Sequence, residues 1–282
     1  MEKLTLECRG KINLAIDVTG KRENGYHDVE MILQEIGLAD RLTLSLRQDG
    51  RIVITSDSSE IPTGEGNLAY RAAEAFFTRL GRNEGVEIHI EKRIPMGAGL
   101  GGGSADAAGV LKGLNAMFGQ PFPIETLMEL GEKLGADVPF CVMGGCAMAT
   151  GIGEVLTPLP MPPKGLRCVI AKPEPFVSTK WVYENLDYTQ KPDGLNVPAV
   201  AEGIRKGDLA LICQSAANIL ETVTIPAYPV VGWLKEGFQE AGAVLSLMSG
   251  SGSAVFGLFE NEEAAKQGAE QAKRYTDQIY LV

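Results

Sequence analysis

Histidine is scarce in this chain, which has only His27 and His89 among its 282 residues. Histidine is the side chain that most often acts as a general acid or base near neutral pH. Neither histidine lies in the His-Arg-Asp sequence of a protein-kinase catalytic loop. The sequence therefore excludes a protein-kinase catalytic loop, and it leaves only two positions for histidine-based catalysis.

The few cysteines lack the spacing of a metal site or a disulfide framework. They are odd in number, scattered, and without a Cys-x-x-Cys pair. We expect small buried thiols in a reducing compartment rather than disulfides or a zinc site. The five residues are Cys8, Cys141, Cys146, Cys168 and Cys213.

Long apolar runs and an excess of positive charge are also missing. No run is long enough to span a bilayer, and the first residues do not form the apolar segment of a signal peptide. The net charge is −10, and no basic stripe for duplex nucleic acid or an anionic membrane surface is visible. These absences predict a cytoplasmic protein with no nucleic-acid or membrane partner.

Glycine, in contrast, is concentrated in one segment. Residues 95–105 read PMGAGLGGGSA and lead into residues typical of a helix. Glycines allow positive φ and let backbone N–H groups approach a bulky ligand, and a helix start adds unpaired N–H groups and the positive end of its dipole. The segment predicts a cradle for an anion, above all the phosphate chain of a nucleotide.

Other interpretations of this loop are weaker. Residues 97–102 satisfy the Gly-x-Gly-x-x-Gly dinucleotide pattern, but the preceding strand carries Glu87, His89 and Glu91 on one face, and a second helix follows the first. A Walker A loop is excluded because no Lys-Ser or Lys-Thr closes the segment. A plain packing turn would use one or two glycines.

Patterns along the chain predict an α+β fold. Residues 41–46 and 51–54 alternate around the turn signal Asp49-Gly50, which predicts a β-hairpin. Helical periodicity predicts helices over 67–80, with Asn67 as N-cap, over 104–118 and near 209–220. Strands and helices do not alternate strictly, which favours α+β over a doubly wound sheet. A proline run after residue 157 predicts domains over 1–157 and 158–282.

The glycine loop resembles the phosphate loop of the GHMP kinases, which include galactokinase and the homoserine, mevalonate and phosphomevalonate kinases. Residues 11–14 (KINL), 25–27 (GYH) and 135–140 (GADVPF) are similar to signatures of one branch, whose acceptor carries a cytidine group. Residues 249–256 (SGSGSAVF) resemble the C-terminal glycine motif of the whole superfamily. The matches follow the order of the family and extend over nearly the full chain.

The resemblance implies a two-domain kinase with a ribosomal-protein-S5-like N-terminal domain and a ferredoxin-like C-terminal domain. ATP and the acceptor would meet in the cleft between them. The γ-phosphoryl group of ATP would pass to the 2-hydroxyl of a cytidine-diphosphate-linked methylerythritol, in the non-mevalonate route to isoprenoid precursors. Magnesium would accompany ATP, and the sequence identifies no protein ligand for the metal.

The resemblance assigns catalysis to Lys11 and Asp137. Asp137 would act as a weak base, and Lys11 would keep it ionised and stabilise charge on the attacking oxygen. The residues alone leave alternatives open. Asp137 could equally be the N-cap of a short helix, and a lysine early in a strand is usually solvated.

The resemblance also assigns the ligand contacts. Tyr26 and Tyr183 would stack on the cytosine, His27 would bond its edge, and Asn13 and Thr179 would contact the rest of the acceptor. From the residues alone, a turn histidine is usually solvated and a buried asparagine is bonded within the core. The residues that match ATP-binding positions are Asn67, Lys92, Pro95, Met96, Gly97, Ala98, Gly99, Leu100, Gly101, Gly102, Gly103, Ser104 and Ala105.

The roles of two further features stay open in this scheme. Asp106 follows the loop, and because a carboxylate repels phosphate, we expect its side chain to point away from the cradle. Residues 249–253 would close the cleft from the C-terminal side, or simply connect two strands.

The sequence is also compatible with three rival functions. Another GHMP kinase could act on a small alcohol without a cytidine group, although Tyr26, His27 and Tyr183 argue against it. A nicotinamide-dependent oxidoreductase could be built on the glycine motif. A binding module on the same fold could have lost catalysis, although the presence of both Lys11 and Asp137 argues against that.

Overall fold

The structure is a computed structural model that describes residues 3–163 and 165–282. These residues form two compact units, and each unit is interrupted along the chain by segments of the other. The first contains the described residues up to Lys11, then Glu35–Met96 and Gly101–Gly144. The second contains Ile12–Gln34, Gly97–Leu100 and the described residues from Gly145 to Val282. The boundary proposed at residues 157 and 158 stays a prediction.

Two long strands open the chain, and shorter elements follow. The strands are β1 Lys3–Lys21, β2 His27–Arg47, β3 Ile52–Ser56, β4 Gly85–Glu91, β5 Cys146–Thr150, β6 Val155–Leu159, β7 Arg167–Ala171, β8 Leu245–Met248, β9 Val255–Phe259 and β10 Ile279–Leu281. The helices are α1 Leu68–Leu80, α2 Gly102–Met117, α3 Ile124–Glu132, α4 Val138–Met143, α5 Thr179–Glu184, α6 Val197–Lys206, α7 Leu209–Ser215, α8 Glu221–Ala227, α9 Pro229–Glu240 and α10 Glu262–Ala272.

In the first unit, helices α1 to α4 pack with one another, and β4 lies between β3 and the second half of β2. Helix α1 starts as the sequence predicts, because the Asn67 side chain accepts a hydrogen bond from the N–H of Ala69. The helix ends at Gly81, which has a left-handed backbone. The prediction of an Asn67 N-cap is therefore confirmed.

The predicted hairpin between residues 41–46 and 51–54 is wrong. Strand β4 pairs antiparallel with β2 over Arg41–Arg47, and β3 pairs in parallel with the other edge of β4. The apolar residues of β4, such as Ile88 and Ile90, are fully buried, so this strand takes the interior position that the hairpin would have left empty. Asp49 bonds its neighbour Arg47 instead of forming a tight turn.

In the second unit, four antiparallel strands form a sheet in the order β10-β7-β9-β8, and α9 and α10 pack against it. Strand β5 pairs with β6 and with Met31–Gln34 of β2. This mixture of antiparallel strands and helices confirms the α+β prediction. No helix among the described residues is both long and apolar enough to cross a membrane.

The helix predicted near 209–220 is too long. Helix α7 ends at Ser215, and the next residues pair with strand β1 through Ile16, whose N–H donates to the carbonyl of Ala217 at 2.9 Å. The fully buried Asn218 donates to the carbonyls of Met248 and Gly250, both at 2.8 Å. These long-range bonds replace the helical ones, and the periodic pattern does not report them.

All five cysteines are free thiols. Cys8, Cys141 and Cys146 are buried, and the remaining two are half-buried. Burial raises the pKa of both Cys146 and Cys168 to about 12. These thiols therefore stay protonated at neutral pH and behave as small apolar side chains.

Candidate active site

The glycine loop follows β4 and ends in helix α2. Gly97, Gly99 and Gly101 have positive φ angles of 60°, 75° and 71°, a conformation that glycine adopts without strain. Helix α2 begins at Gly102, two residues before the predicted start, and its N-cap Gly101 makes no side-chain capping bond. Backbone N–H groups at an uncapped helix start, preceded by a glycine loop, form an arrangement that binds phosphate.

The middle of the loop packs directly on the C-terminal glycine motif. A Cβ on Gly99 would lie only 2.0 Å from the carbonyl oxygen of Ser249. The Ser249 hydroxyl donates to the Gly99 carbonyl at 3.0 Å, and the Ala254 N–H donates to the Ala98 carbonyl at 3.2 Å. Residues 249–253 thus connect β8 to β9, as the simpler interpretation states, and they also fix part of the glycine loop.

Lys11 and Asp137 lie together beside the last glycine of the loop. The Lys11 Nζ is 3.6 Å from the Asp137 Oδ2, and the side chains are 5% and 34% exposed. A Cβ on Gly101 would lie 3.2 Å from Lys11 Cγ and 3.9 Å from Asp137 Oδ2. Asp137 occupies the N-cap of α4, but its side chain makes no capping bond there. The carboxylate therefore faces a buried lysine at the end of the loop, and the lysine is not a solvated strand residue.

Lys92 is buried between two carboxylates. Its Nζ lies 2.5 Å from Asp40 Oδ2 and 3.0 Å from Asp106 Oδ2, and none of the three side chains is more than 8% exposed. Asp106 thus points at Lys92, which neutralises part of its charge. The contact of Lys92 with the nucleoside stays a prediction, and so does that of Asn67, whose side chain bonds Ala69 and Pro62.

The Asp106 carboxyl has an unusual pKa. Burial, the largest influence, raises the pKa of Asp106 to about 7 against the attraction of Lys92, and the Asp40 carboxylate adds to the rise. The group is therefore protonated in an appreciable fraction of molecules near neutral pH. A carboxyl with a pKa raised on folding makes stability depend on pH.

We expect the wild-type protein to lose stability relative to Asp106→Asn as the pH rises from about 4 to about 8. The carboxyl stabilises the fold fully below its unfolded pKa of about 3.9, and this contribution is lost as the pH rises through about 7. The measurement is Tm of both proteins across this range. The control is Asp49→Asn, an exposed carboxylate whose pKa is lowered to about 2 by Arg47, and its Tm difference should stay flat. A flat difference for Asp106→Asn would contradict the assignment.

His27 and Tyr183 lie ring against ring in the second unit. Their centroids are 5.3 Å apart, and Tyr188 approaches His27 edge-on at 6.4 Å. Burial lowers the pKa of His27, and the Lys21 charge lowers it further. A neutral imidazole offers one donor and one acceptor nitrogen, which suits a nucleobase edge with both kinds of group.

The other residues predicted to bind the acceptor have different surroundings. Tyr26 is 59% exposed, so its ring is available for stacking. The Asn13 side chain is buried, and its amide donates to the Met31 sulfur at 3.4 Å. The Thr179 and Ser251 hydroxyls are 2.7 Å apart, so Thr179 contacts the C-terminal glycine motif.

Three residues at these sites were not predicted. Asp40 is a carboxylate that follows the apolar residues Leu38 and Ala39 in β2, and this signal could have identified it. Tyr188 lies outside any regular element, and Asn218 lies where a helix was expected, so neither carries a local signal.

Comparison with known proteins gives the family. The model of the GHMP kinases N terminal domain matches residues 67–145, and that of the GHMP kinases C terminal region matches residues 200–278. Relatives named 4-diphosphocytidyl-2-C-methyl-D-erythritol kinase include one from Alkaliphilus metalliredigens, 46% identical over 100% of this chain and 97% of the relative. Another, from Geobacter metallireducens, is 46% identical over 98% of this chain and 96% of the relative.

Solved structures agree with this relationship. A crystal structure of 4-(cytidine 5'-diphospho)-2C-methyl-D-erythritol kinase matches with a TM-score of 0.81 at 34% identity, over 99% of this chain and 98% of that one. A homoserine kinase from Cytophaga hutchinsonii, at 23% identity, shares the fold with a TM-score of 0.75 over 100% of this chain and 94% of that one. The two-domain GHMP-kinase fold class is confirmed, and the chain belongs to the 4-diphosphocytidyl-2-C-methyl-D-erythritol kinase family of the GHMP kinases.

Proposed function

We propose that Lys11 and Asp137 carry out the phosphoryl transfer of this family in this chain. The chain is an ATP-dependent kinase that phosphorylates the 2-hydroxyl of 4-diphosphocytidyl-2-C-methyl-D-erythritol, in the non-mevalonate route to isoprenoid precursors. One observation carries the residue assignment: the Lys11–Asp137 pair lies against Gly101, where the glycine loop ends. A cation and a carboxylate at the end of a phosphate-binding loop are what this reaction needs.

Phosphoryl transfer depends more on the correct placement of ATP and the acceptor than on a strong base. Amides of the loop and of the first turn of α2 hold the phosphates of ATP, including the group that is transferred. Asp137 accepts the proton of the acceptor hydroxyl, and a carboxylate suffices because the proton leaves late in a loose transition state. The Lys11 ammonium stabilises negative charge on the attacking oxygen.

A magnesium ion bound with ATP would neutralise charge on the phosphates. The described residues contain no cluster of three or more His, Cys, Asp or Glu side chains that could hold a metal. Asp40 and Asp106 are buried on Lys92, and Asp137 faces Lys11. We therefore propose that phosphate oxygens and water provide most ligands of the ion, a form of binding that Mg²⁺ favours.

The acceptor is recognised mainly through its base. Tyr26 and Tyr183 supply ring faces, and the neutral His27 supplies a donor and an acceptor for the cytosine edge. Asn13 and Thr179 are proposed to bond polar groups of the acceptor.

The free thiols support a cytoplasmic location.

Tyr26→Ala is expected to raise KM for the acceptor about 10- to 100-fold, because stacking contributes about 1–3 kcal/mol per base. KM for ATP should stay within about twofold, since the change removes only an exposed ring. Steady-state kinetics with each substrate varied in turn makes the measurement. Tyr26→Phe keeps the ring and serves as the control. A rise in KM for ATP alone would contradict the cytosine assignment.

One coupled assay for ADP release tests the proposed function. The cytidine-linked acceptor, homoserine and mevalonate are supplied in parallel, with cytidine diphosphate as a competitor. We expect turnover only with the cytidine-linked acceptor, and inhibition by the competitor. Turnover with homoserine or mevalonate and none with the cytidine-linked acceptor would overturn the proposal.

A further inference from the structure

Asp40 forms hydrogen bonds with the residues that lead into the glycine loop. Its Oδ1 accepts the backbone N–H groups of Arg93 at 2.6 Å and Ile94 at 2.8 Å, the two residues that precede Pro95. Its Oδ2 lies 2.5 Å from Lys92 Nζ, and Asp40 is completely buried. Both oxygens of one carboxylate are therefore committed to the segment that leads into the loop.

The exit from the loop is held by the same lysine. Asp106 projects from the second turn of α2 and accepts a hydrogen bond from Lys92 Nζ at 3.0 Å. A Cβ on Gly102, the first residue of α2, would lie 3.3 Å from that nitrogen. The Lys92 ammonium group therefore packs against the first turn of α2, where the loop ends.

Stability alone gives a poor account of this cluster. Three buried ionisable groups carry a large desolvation cost, and apolar residues of similar volume often serve a fold as well or better. Asp106 Oδ1 is buried without a hydrogen-bond partner, and the Asp106 charge also acts on the buried Cys8 thiol. What the cluster does achieve is a fixed bonded path from the entry of the loop to its exit.

We propose that Asp40, Lys92 and Asp106 are positioning residues that hold the two ends of the glycine loop at the separation at which its amides bind the phosphates of ATP. The proposal rests on the proposed function, because it assumes that ATP is the ligand of the loop. Neither the carboxylates of Asp40 and Asp106 nor the ammonium group of Lys92 has to touch a reacting atom. Their action reaches ATP through the backbone of residues 93–94 and the first turns of α2.

The test measures ATP binding and ATP kinetics of Lys92→Met and Asp106→Asn. A displacement of about 1 Å in positioning groups can lower a rate about a hundredfold. We expect Lys92→Met to raise both Kd and KM for ATP about tenfold or more, with KM for the acceptor unchanged. Asp106→Asn, which keeps an oxygen acceptor for Lys92, should raise them less. Lys92→Arg, which can still bridge two carboxylates, should restore most of the affinity.

The control is Asn115→Ala, which removes a buried amide from the same helix. Its side chain bonds the backbone N–H and carbonyl of Phe122, away from the loop. This variant should lower Tm without changing Kd for ATP, which separates a positioning role from general destabilisation. If Lys92→Met does not fold, Asp106→Asn carries the test, and Lys92→Arg serves as the variant that keeps the ion pairs.

Unchanged Kd for ATP in folded Lys92→Met, or in Asp106→Asn if Lys92→Met does not fold, would overturn the positioning role. An equal loss of ATP affinity in Asn115→Ala would overturn it too. Wild-type turnover on the acceptor is measured in the same series. ATP binding without turnover would overturn the proposed function alone, while a wild-type protein that binds no ATP would overturn both.

Discussion

Asp137→Asn is expected to lower kcat by about a thousandfold, within the range of about 10²–10⁴ that general acid–base catalysis contributes. Asparagine has nearly the size of aspartate, and it can still accept a hydrogen bond from Lys11. It cannot accept the proton of the acceptor hydroxyl. The Asp137 side chain makes no capping bond to α4, so the helix should lose little stability. Kd for ATP should stay within about twofold, because the loop amides that hold the phosphates are unchanged.

Pre-steady-state kinetics and ATP titration calorimetry would separate the two quantities. The matched control is Asp49→Asn in the same unit, since Asp49 is also a partly exposed carboxylate that faces a cation. Its kcat should equal that of the wild type. Unchanged turnover of Asp137→Asn would remove Asp137 from the mechanism, and an equal loss of ATP affinity would indicate that the variant distorts the loop.

Gly99→Ala is expected to abolish most ATP binding and to lower the free energy of unfolding by about 2–5 kcal/mol, from backbone strain and overpacking together. The new Cβ would lie 2.0 Å from the Ser249 carbonyl oxygen, and this contact involves backbone on both sides. The φ angle of 75° is unfavourable for alanine in addition. The loop therefore has to move, and its amides leave the positions that suit phosphate.

Denaturant unfolding and ATP titration would measure the two effects of Gly99→Ala. Gly64→Ala is the control, because a Cβ there would meet no atom within 4 Å and the backbone has no positive φ. This control should change neither stability nor ATP affinity by a measurable amount. Wild-type stability and ATP affinity in Gly99→Ala would show that the close packing of Gly99 on Ser249 is not a constraint in solution.

Local chemistry made part of this structure predictable. Asn67 caps α1 because its short amide suits an N-cap, and a dense set of glycines ahead of a helix indicates a loop with positive φ. The hairpin failed because Asp49 and Gly50 are a local turn signal, whereas the position of β4 depends on a pairing distant in sequence. The α7 helix was extended too far for the same reason, since the bonds of Asn218 are long-range.

The candidate site also has one part that local sequence predicts and another that it does not. The phosphate loop has a physical signature that can be recognised in one segment of sequence. The pairing of Lys11 with Asp137 has none, since each residue alone is as well explained by solvation or capping, and only the family resemblance joined them. Asp40 shows the limit most clearly, because its three partners, residues 92–94, follow it by 52 to 54 residues.

The division of the chain into interleaved segments has a consequence for how the protein is made. Residues 12–34 belong to the unit that is mostly built from residue 145 onward, and Ile16 bonds the backbone of residues 217 and 219. On the ribosome, the residues around Ile16 emerge long before residues 217 and 219, although β2, which also pairs with β1, follows directly. A polypeptide released before its last third therefore lacks the residues that pair with Ile16, and the unpaired N–H and C=O groups there are where nascent chains would be most prone to associate with one another.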